Sequence, residues 1–357
     1  MSADRRRLAD HTTLRLGGPA RAWVRATTED ELVAAVSAAD AAGEPVLVLG
    51  GGSNLVVADE GFDGTVVEVA TRGVHADVGD GGDPTCGGAV VTVAAGETWD
   101  DLVAHAGEQG WVGVEALSGI PGSVGATPIQ NVGAYGQEVA QTIASVRVWD
   151  RKLNGIRTFA VADCGFGYRT SRFKIDRYPG DAAHGARHLV LSVTFQLRQG
   201  SLGAPVVYAE LARSLGVEPG QRAPLADVRD AVLGLRSGKG MVLDPSDHDT
   251  WSAGSFFTNP VVPAADVPEG APTWPTADDG LVKTSAAWLI EHAGFGKGYG
   301  LDRGRAALST KHTLALTNRG GATAADLLSL AREVRDGVAA AYGITLVNEP
   351  VLVGCSL

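Results

Sequence analysis

The run VLVLGGGSN places three consecutive glycines directly after an apolar segment. Because glycine has no Cβ, backbone N–H groups in such a run can approach a phosphate closely. The Rossmann dinucleotide fingerprint needs a helix directly after its glycines, whereas LVV and DEGFDGTVVEV, which follow here, predict strands. A phosphate-binding loop and a tight turn between strands therefore both fit this run. The candidate residues are Gly50, Gly51, Gly52, Ser53 and Asn54.

A second glycine-rich stretch, GVEALSGIPGSVGATPIQNVGAYG, spans residues 113 to 136. A loop that serves only as a turn does not need so many small residues over such a length. Two loops of this kind, each following its own α/β unit, are suited to the phosphates and ribose of a dinucleotide. The alternative is close packing of backbone in a dense core. The candidate residues are Ser118, Gly119, Gly122, Ser123, Gly125, Gln130, Asn131, Gly133 and Ala134.

Basic side chains in two further segments could bind an anionic ligand. In CGFGYRTSRFK, Arg169 follows a tyrosine and precedes Arg172 and Lys174. Basic residues beside an aromatic ring are also typical of a solvated rim, so this segment alone does not indicate a site. The segment LRSGKGMVLD supplies Arg236 and Lys239.

A serine and a carboxylate complete the set of residues that could carry chemistry. Ser255 lies in SAGSFFTNP with Asn259 nearby; the G-x-S-x-G nucleophile elbow is absent, and a lone serine there is commonly a turn residue. Glu349 lies among apolar residues in ITLVNEPVLVG, so we expect a partly buried carboxylate, either in a structural ion pair or with a function. His11 and His312 have no second ligand at metal-binding spacing, so no metal site is predicted.

Composition predicts a soluble cytoplasmic protein of two or three domains. A chain of 357 residues is too long for one small core. The formal net charge of −11 argues against a nucleic-acid partner. The cysteines, at 86, 164 and 355, match no metal spacing and are as sparse as in a reducing compartment. The basic start lacks the apolar region of a signal peptide, and no apolar run is long enough to cross a bilayer, so no membrane partner is expected.

Local patterns predict the elements that would position these residues. Thr28 and Glu31 form a capping box for a helix, and the strand VLVL leads from that helix into the first glycine run. A second pair consists of the strand VVTV and a helix that Thr98 and Asp101 would cap. Further strands are predicted for SVRVWD and HLVLSVTFQL.

The last third of the chain has a helix pattern of its own. Helices are predicted for TSAAWLIEHAG and for TAADLLSLAREVRDGVAAAYG, which opens with a capping box, and the strand ITLVNEPVLVG follows. The proline-rich stretch 260–275 predicts a surface loop. We expect a first lobe over residues 1–80, a second over 81–237 completed by 344–357, and a third over 238–343.

Five segments together resemble the UDP-N-acetylenolpyruvoylglucosamine reductase (MurB) family. They are GGGSNLVV, ALSGIPGSVGATPIQNVGAYG, FGYRTSRFK, AGSFFTNP and KTSAAWLIEHAGF, and they occur in the family's order. The resemblance implies an α+β fold of the FAD-binding PCMH, or vanillyl-alcohol-oxidase, type, with two α/β flavin-binding lobes and a separate α+β substrate-binding lobe. Asn54 stands where flavoproteins with covalent FAD have a histidine, so the resemblance implies non-covalent FAD.

The resemblance also implies a reaction, the reduction of the enolpyruvyl ether of UDP-N-acetylglucosamine to UDP-N-acetylmuramate, with NADPH as co-substrate. This reaction supplies a precursor of peptidoglycan. By the family pattern, Arg169 stabilises the enolate, Ser255 delivers a proton to the α-carbon, and Glu349 assists. The two glycine-rich runs and Arg236 would bind FAD.

Tyr208, Lys239 and Asn259 would contact the substrate, and the protein is expected to be a monomer. Thr258 departs from the lysine that many relatives have there, and an irregular insert separates Lys174 from Tyr208. Two alternatives remain at this point: another oxidoreductase of the same flavin-binding fold, or a flavin-binding protein without turnover.

Overall fold

The computed structural model describes residues 6–78, 88–179 and 185–357. Cys86 and part of the insert before Tyr208 lie outside these ranges. The chain divides into two compact units. Unit 1 consists of Met1–Pro19, Gly52–Phe62 and Gly238–Leu357, and unit 2 of Ala20–Gly51 and Asp63–Ser237.

The described residues form the following strands and helices. The strands are β1 Ala20–Ala26, β2 Val46–Leu49, β3 Leu55–Val57, β4 Phe62–Val69, β5 Val74–Val78, β6 Gly88–Ala94, β7 Trp111–Val112, β8 Gly133–Ala134, β9 Gln137–Glu138, β10 Ile143–Asp150, β11 Gly155–Ala160, β12 His188–Gln199, β13 Val261–Pro263, β14 Thr273–Pro275, β15 Leu281–Thr284, β16 Ala306–Leu308, β17 Leu316–Asn318 and β18 Val351–Val353. The helices are α1 Glu29–Ala41, α2 Trp99–Glu108, α3 Thr127–Gln130, α4 Arg172–Ile175, α5 Ala209–Leu215, α6 Leu225–Gly238, α7 Ala286–His292 and α8 Ala324–Tyr342.

In the described part of unit 2, two larger sheets of different kinds accompany the short two-stranded sheet β8-β9. The first has the order β1-β4-β2, with β2 and β4 parallel, and α1 packs on it. The second runs β11-β10-β12-β6-β5, with β7 also paired to β12. Its strands are antiparallel, and α2 buries Trp99 and Leu102 against its inner face. The first glycine-rich stretch follows the strand β2, and the second follows the helix α2 and the short strand β7.

Unit 1 is built around α7 and α8, which share one hydrophobic core with Phe256 and Phe257. Small sheets surround these helices: β13-β15-β14, β16-β17 and the parallel pair β18-β3. The helix α8 keeps Leu327, Ala331 and Val334 fully buried, at the spacing of one helix face.

Several predicted elements are confirmed. The α1 capping box forms between Thr28 and Glu31, and that of α8 forms between Thr323 and Asp326. Thr98 does stand at the N-cap position of α2, but its side chain makes no capping hydrogen bond. The predicted position of the helix start is therefore confirmed, but the predicted capping hydrogen bond between Thr98 and Asp101 is wrong.

Two predictions for the last third are wrong in extent. The strand predicted for ITLVNEPVLVG is regular only over Val351–Val353, because Pro350 has no N–H to donate and the preceding residues make a single bridge, Asn348 to Phe257. The stretch 260–275 is not a loop throughout. It contains β13 and β14, which pair with opposite edges of β15. The structure divides the chain into two compact units, and the boundaries of the three predicted lobes stay a prediction.

Candidate functional site

The two glycine-rich loops come into direct contact in unit 2. A Cβ on Gly51 would lie 2.6 Å from the Cα of Gly122, and one on Gly50 would lie 2.5 Å from the Oγ of Ser123. A Cβ on Gly125 would lie 2.5 Å from the Cβ of Ala95, which directly follows β6. No carbon–carbon contact is that short. Close backbone packing thus accounts for part of the glycine content, and it brings the two loops together as a ligand cradle requires.

The carboxylate of Asp100 holds the backbone of the second glycine-rich stretch at Gly119. The N–H of Gly119 donates to Asp100 at 2.6 Å, and Arg229 donates to both oxygens of that carboxylate, at 2.7 and 3.0 Å. Burial opposes ionisation of Asp100, but the hydrogen bonds from Arg229 and Gly119 outweigh burial and hold its pKa below the ordinary value. Gly119 itself has φ +70°, a conformation that glycine adopts without strain.

Arg236 supplies a buried positive charge in the same unit. It lies on α6 and is 8 % exposed. Burial lowers its pKa to about 10, with Tyr135 and Asp100 acting in the opposite direction. The guanidinium is therefore still protonated at neutral pH. A partly desolvated cation of this kind is suited to an anionic group such as a phosphate.

Other residues of the second stretch serve the local structure. Ser118 is fully buried and its hydroxyl donates to the carbonyl of Glu115 at 2.7 Å. Asn131 is left-handed, with φ +44°. Its amide nitrogen donates to Glu138 at 2.9 Å and to the carbonyl of Gly167 at 3.0 Å. The side chain of Asn131 thus ties this stretch to the segment that carries Arg169.

Arg169 is held in an unusual backbone conformation. Its φ is +52°, in the left-handed region that residues with a Cβ rarely adopt. Its guanidinium donates from Nη2 to the carbonyl of Gly133 at 3.0 Å, so this carbonyl orients it. The Nζ of Lys174 donates to the carbonyl of Arg169 itself at 3.0 Å. Lys174 is therefore not part of a merely solvated rim.

Tyr208 lies at the N-cap position of α5 and is almost half exposed. The residue is 46 % exposed. Its ring meets that of Tyr135 edge to face, with 5.5 Å between the centroids. An exposed ring that rests on a second aromatic ring is able to cover a ligand without losing its own packing.

In unit 1, the segment that carries Ser255 pairs with the segment that carries Glu349. The N–H of Glu349 donates to the carbonyl of Phe256 at 2.8 Å, and the N–H of Thr258 donates to the carbonyl of Val347 at 3.0 Å. These antiparallel contacts and the bridge between Phe257 and Asn348 fix the register, in which Phe256 pairs with Glu349 and Ser255 directly precedes that pair. Phe256 is 1 % exposed and anchors the serine segment in the core. Glu349 is half-buried, as the sequence predicts.

The end of the first glycine run joins the same place. Asn54 donates from its side chain to the carbonyl of Glu349 at 3.5 Å, and its own carbonyl accepts from Val351 at 3.0 Å. Gly52 has φ +61°, and a Cβ there would lie 1.9 Å from the carbonyl oxygen of His11. The structure therefore brings Asn54 to the backbone of Glu349, whose partner in the neighbouring segment, Phe256, directly follows Ser255.

The remaining candidates of unit 1 are Asn259 and Lys239. The Oδ1 of Asn259 accepts from the N–H of Ala286 at 3.0 Å, at the start of α7. Lys239 is half-buried in the turn that follows α6. No group of three or more metal-binding side chains occurs in the described ranges. Within those ranges, too, no helix has the length and apolarity needed to span a membrane.

The buried carboxylate of Asp249 is not recognisable from the sequence. It is 4 % exposed and accepts hydrogen bonds from Thr310 and, at 2.7 Å, from Arg319. Burial opposes its ionisation, but the bonds from Thr310 and Arg319 outweigh burial and hold its pKa below the ordinary value. Its partners are some sixty and seventy positions away, so no local pattern could have identified the pair.

Two family models match this chain, and so does a crystal structure. Residues 20–155 match the family model described as FAD binding domain. Residues 244–353 match that of the UDP-N-acetylenolpyruvoylglucosamine reductase C-terminal domain. The crystal structure of UDP-N-acetylenolpyruvylglucosamine reductase (MurB) from Thermus caldophilus superposes with a TM-score of 0.61 and 26 % identity, covering 98 % of each chain. The fold is thus α+β, of the FAD-binding PCMH type.

Sequence relatives extend over nearly the whole chain. The UDP-N-acetylenolpyruvoylglucosamine reductase of Cutibacterium acnes is 61 % identical over 351 residues, which cover 98 % of this chain and 90 % of that one. The reductase of the same name from Thermobifida fusca is 57 % identical, with 98 % and 97 % covered. Identity of this degree over this length means that the chain belongs to the UDP-N-acetylenolpyruvoylglucosamine reductase family.

Proposed function

We propose that this protein reduces the enolpyruvyl ether of UDP-N-acetylglucosamine to UDP-N-acetylmuramate, a precursor of peptidoglycan, with FAD as cofactor and NADPH as reductant. The observation that carries the proposal is the 61 % identity to a reductase of this name over nearly the whole chain. That alignment includes the segments of Arg169, Ser255 and Glu349. We assign the catalytic roles to these three residues.

The residues of unit 2 fit a flavin dinucleotide. The chemistry that FAD supplies when bound is hydride transfer, from NADPH and then to the enolpyruvyl group. Gly51 and Gly122, where the two loops meet, carry no side chain, so the backbone N–H groups there can face phosphates. Arg236 adds the positive charge that a pyrophosphate needs. Asn54 cannot form the covalent link that a histidine forms, so FAD is held non-covalently.

Arg169 stabilises the negative charge that develops on the substrate. Hydride addition to the β-carbon leaves an enolate whose charge spreads into the carboxylate. A guanidinium presents parallel N–H groups to such a charge, and it is most effective when its position is fixed before the reaction. The hydrogen bond to the carbonyl of Gly133 fixes it here.

Ser255 donates a proton to the α-carbon. A hydroxyl is a weak acid, but a carbanion-like carbon is a strong base, so the transfer is downhill. The anchored phenylalanine after Ser255 and the backbone pairing with residues 347–349 hold the serine in place. Glu349, on the segment paired with that of Ser255, assists through a proton or a bridging water.

Tyr208, Lys239 and Asn259 are assigned to the substrate. The exposed ring of Tyr208 covers it, and the ammonium group of Lys239 binds its anionic part. Since the Oδ1 of Asn259 accepts from Ala286, its contact with the substrate would come from the amide nitrogen. We place the enzyme in the cytoplasm as a monomer, which the sparse cysteines support for the compartment.

An anaerobic half-reaction experiment tests the function. The purified holoenzyme is reduced with NADPH, the enolpyruvyl substrate is added, and the flavin spectrum is followed. Rapid return of the oxidised bands is expected. A flavin that is reduced but not reoxidised by this substrate would move the function to another oxidoreductase of the fold or to a non-catalytic flavoprotein. Absence of flavin would refute the proposal.

Two serine variants test the mechanism. Ser255→Ala should leave reduction by NADPH intact and slow reoxidation by the substrate about 10²- to 10⁴-fold, since a positioned proton donor is lost. Ser246→Ala, an exposed serine of the same unit, is the matched control and should reoxidise normally. Normal reoxidation of the Ser255 variant would remove it from its role.

A further inference from the structure

The segment around Arg169 is held in place more firmly than a surface turn requires. Arg169 is left-handed, with φ +52°. The neighbouring residues are tied at two other points: Gly167 accepts from Asn131 at 3.0 Å, and the hydroxyl of Ser171 donates to the carbonyl of Ile129 at 2.8 Å. Non-glycine residues persist in this backbone region only when their surroundings impose it, and such residues cluster at functional sites.

The contact from Lys174 reaches backward along the chain to the segment of Arg169. Lys174 is the third residue of the one-turn helix α4, and its backbone N–H donates to the N-cap residue, Ser171. Its ammonium group reaches back past Ser171 to the carbonyl of Arg169 at 3.0 Å. The Lys174 side chain thus bonds the backbone of the left-handed residue itself.

We propose that Lys174 is a positioning residue for Arg169, and this inference rests on the proposed function. The ammonium group holds the carbonyl of Arg169 by a charge-assisted hydrogen bond and so stabilises the left-handed backbone. The carbonyl of Gly133 holds the guanidinium at the other end of the same residue. With both ends held, Arg169 meets the developing enolate without reorganising.

The positioning role predicts a selective kinetic defect. Lys174→Met keeps most of the side-chain stem and removes the ammonium group. We expect reoxidation of the reduced flavin by the enolpyruvyl substrate to slow about 10- to 100-fold, the range of one charge-assisted hydrogen bond. Reduction by NADPH should be unchanged. Lys152→Met, at an exposed lysine of the same unit, is the matched control and should have both half-reactions intact.

A double-mutant cycle shows whether Lys174 acts through Arg169. In an Arg169→Ala background, Lys174→Met should cause little further slowing, because the group that it positions is gone. An equal slowing in both backgrounds would overturn the proposal, as would normal reoxidation by the single variant. If Lys174→Met fails to fold, Lys174→Gln takes its place, with an intermediate loss expected and no loss contradicting the proposal.

The two hypotheses fail separately. If Arg169→Ala alone reoxidises at the normal rate, the proposed role of Arg169 is wrong whatever Lys174 does. If Arg169→Ala is impaired and Lys174→Met is not, the proposed function stands and the positioning role of Lys174 is wrong.

Discussion

Adding one methyl group at Gly51 should separate the two glycine-rich loops. The new Cβ would lie 2.6 Å from the Cα of Gly122 and 3.0 Å from its carbonyl carbon. Since non-bonded carbons rest at about 3.5–4.0 Å, the loops must move apart by roughly 1 Å. Both atoms belong to backbone, so no flexible side chain can absorb the shift. Overpacking of this kind costs about 1–3 kcal/mol.

The cost should be visible mainly in cofactor affinity. Without FAD the loops can separate and relieve the clash, whereas FAD needs them close together. If binding restores the full strain, Gly51→Ala should bind FAD about 5- to 150-fold more weakly, which is 1–3 kcal/mol expressed as an affinity ratio. The measurement is a titration of the apoprotein with FAD, followed by flavin fluorescence, together with urea unfolding of the apoprotein.

A matched glycine separates this effect from the substitution itself. A Cβ on Gly107, inside α2, meets nothing within 4 Å. Gly107→Ala should therefore leave FAD affinity unchanged and keep or raise stability, by up to about 1 kcal/mol. If Gly51→Ala bound FAD as tightly as Gly107→Ala does, the close contact between Gly51 and Gly122 would not be required for FAD binding.

Three further predictions concern buried groups. Burial raises the pKa of Cys164 to about 11, so in a Cys86→Ser, Cys355→Ser background a chromogenic thiol reagent should label it only as fast as urea unfolds the protein. Burial lowers the pKa of His188 from 6.5 despite its bond to Asp176, so its stabilising contribution is complete above pH 6.5 and is lost as the pH falls below that value. His188→Asn should flatten urea-measured stability in that window, and an unchanged pH profile would contradict the assignment. Asp249→Asn should lower the free energy of unfolding by about 2–3 kcal/mol, because a largely buried ion pair loses one partner; an effect no larger than that of the exposed Asp279→Asn would contradict it.

Local elements could be predicted because their determinants are local. The capping boxes of α1 and α8 involve residues three positions apart, and both form as expected. The apolar pattern overstates the extent of the last strand, because Pro350 interrupts the pairing and the partner strand β3 is distant in the sequence. The apolar pattern continues from Ile344 to Val353, yet regular pairing begins only after Pro350.

In the candidate site, too, residue types can be recognised from the sequence, whereas long-range contacts cannot. The residue types of Ser255 and Glu349 are recognisable in the sequence, but the pairing of their segments depends on hydrogen bonds between residues some ninety positions apart. The function of Lys174 was hidden for another reason. Its partner is only five positions away, but the contact requires Arg169 to be left-handed, and nothing in the sequence predicts that conformation.

The parallel pair β3–β18 has a consequence for biosynthesis. Asn54 and Glu349 are 295 positions apart and are joined through this pair. At a translation rate of about 5–20 residues per second, β3 leaves the ribosome roughly 15–60 s before the strand that pairs with it is made. During that interval its hydrogen-bonding edge has no native partner, so nascent chains should be most open to misassociation and to chaperone binding at this segment.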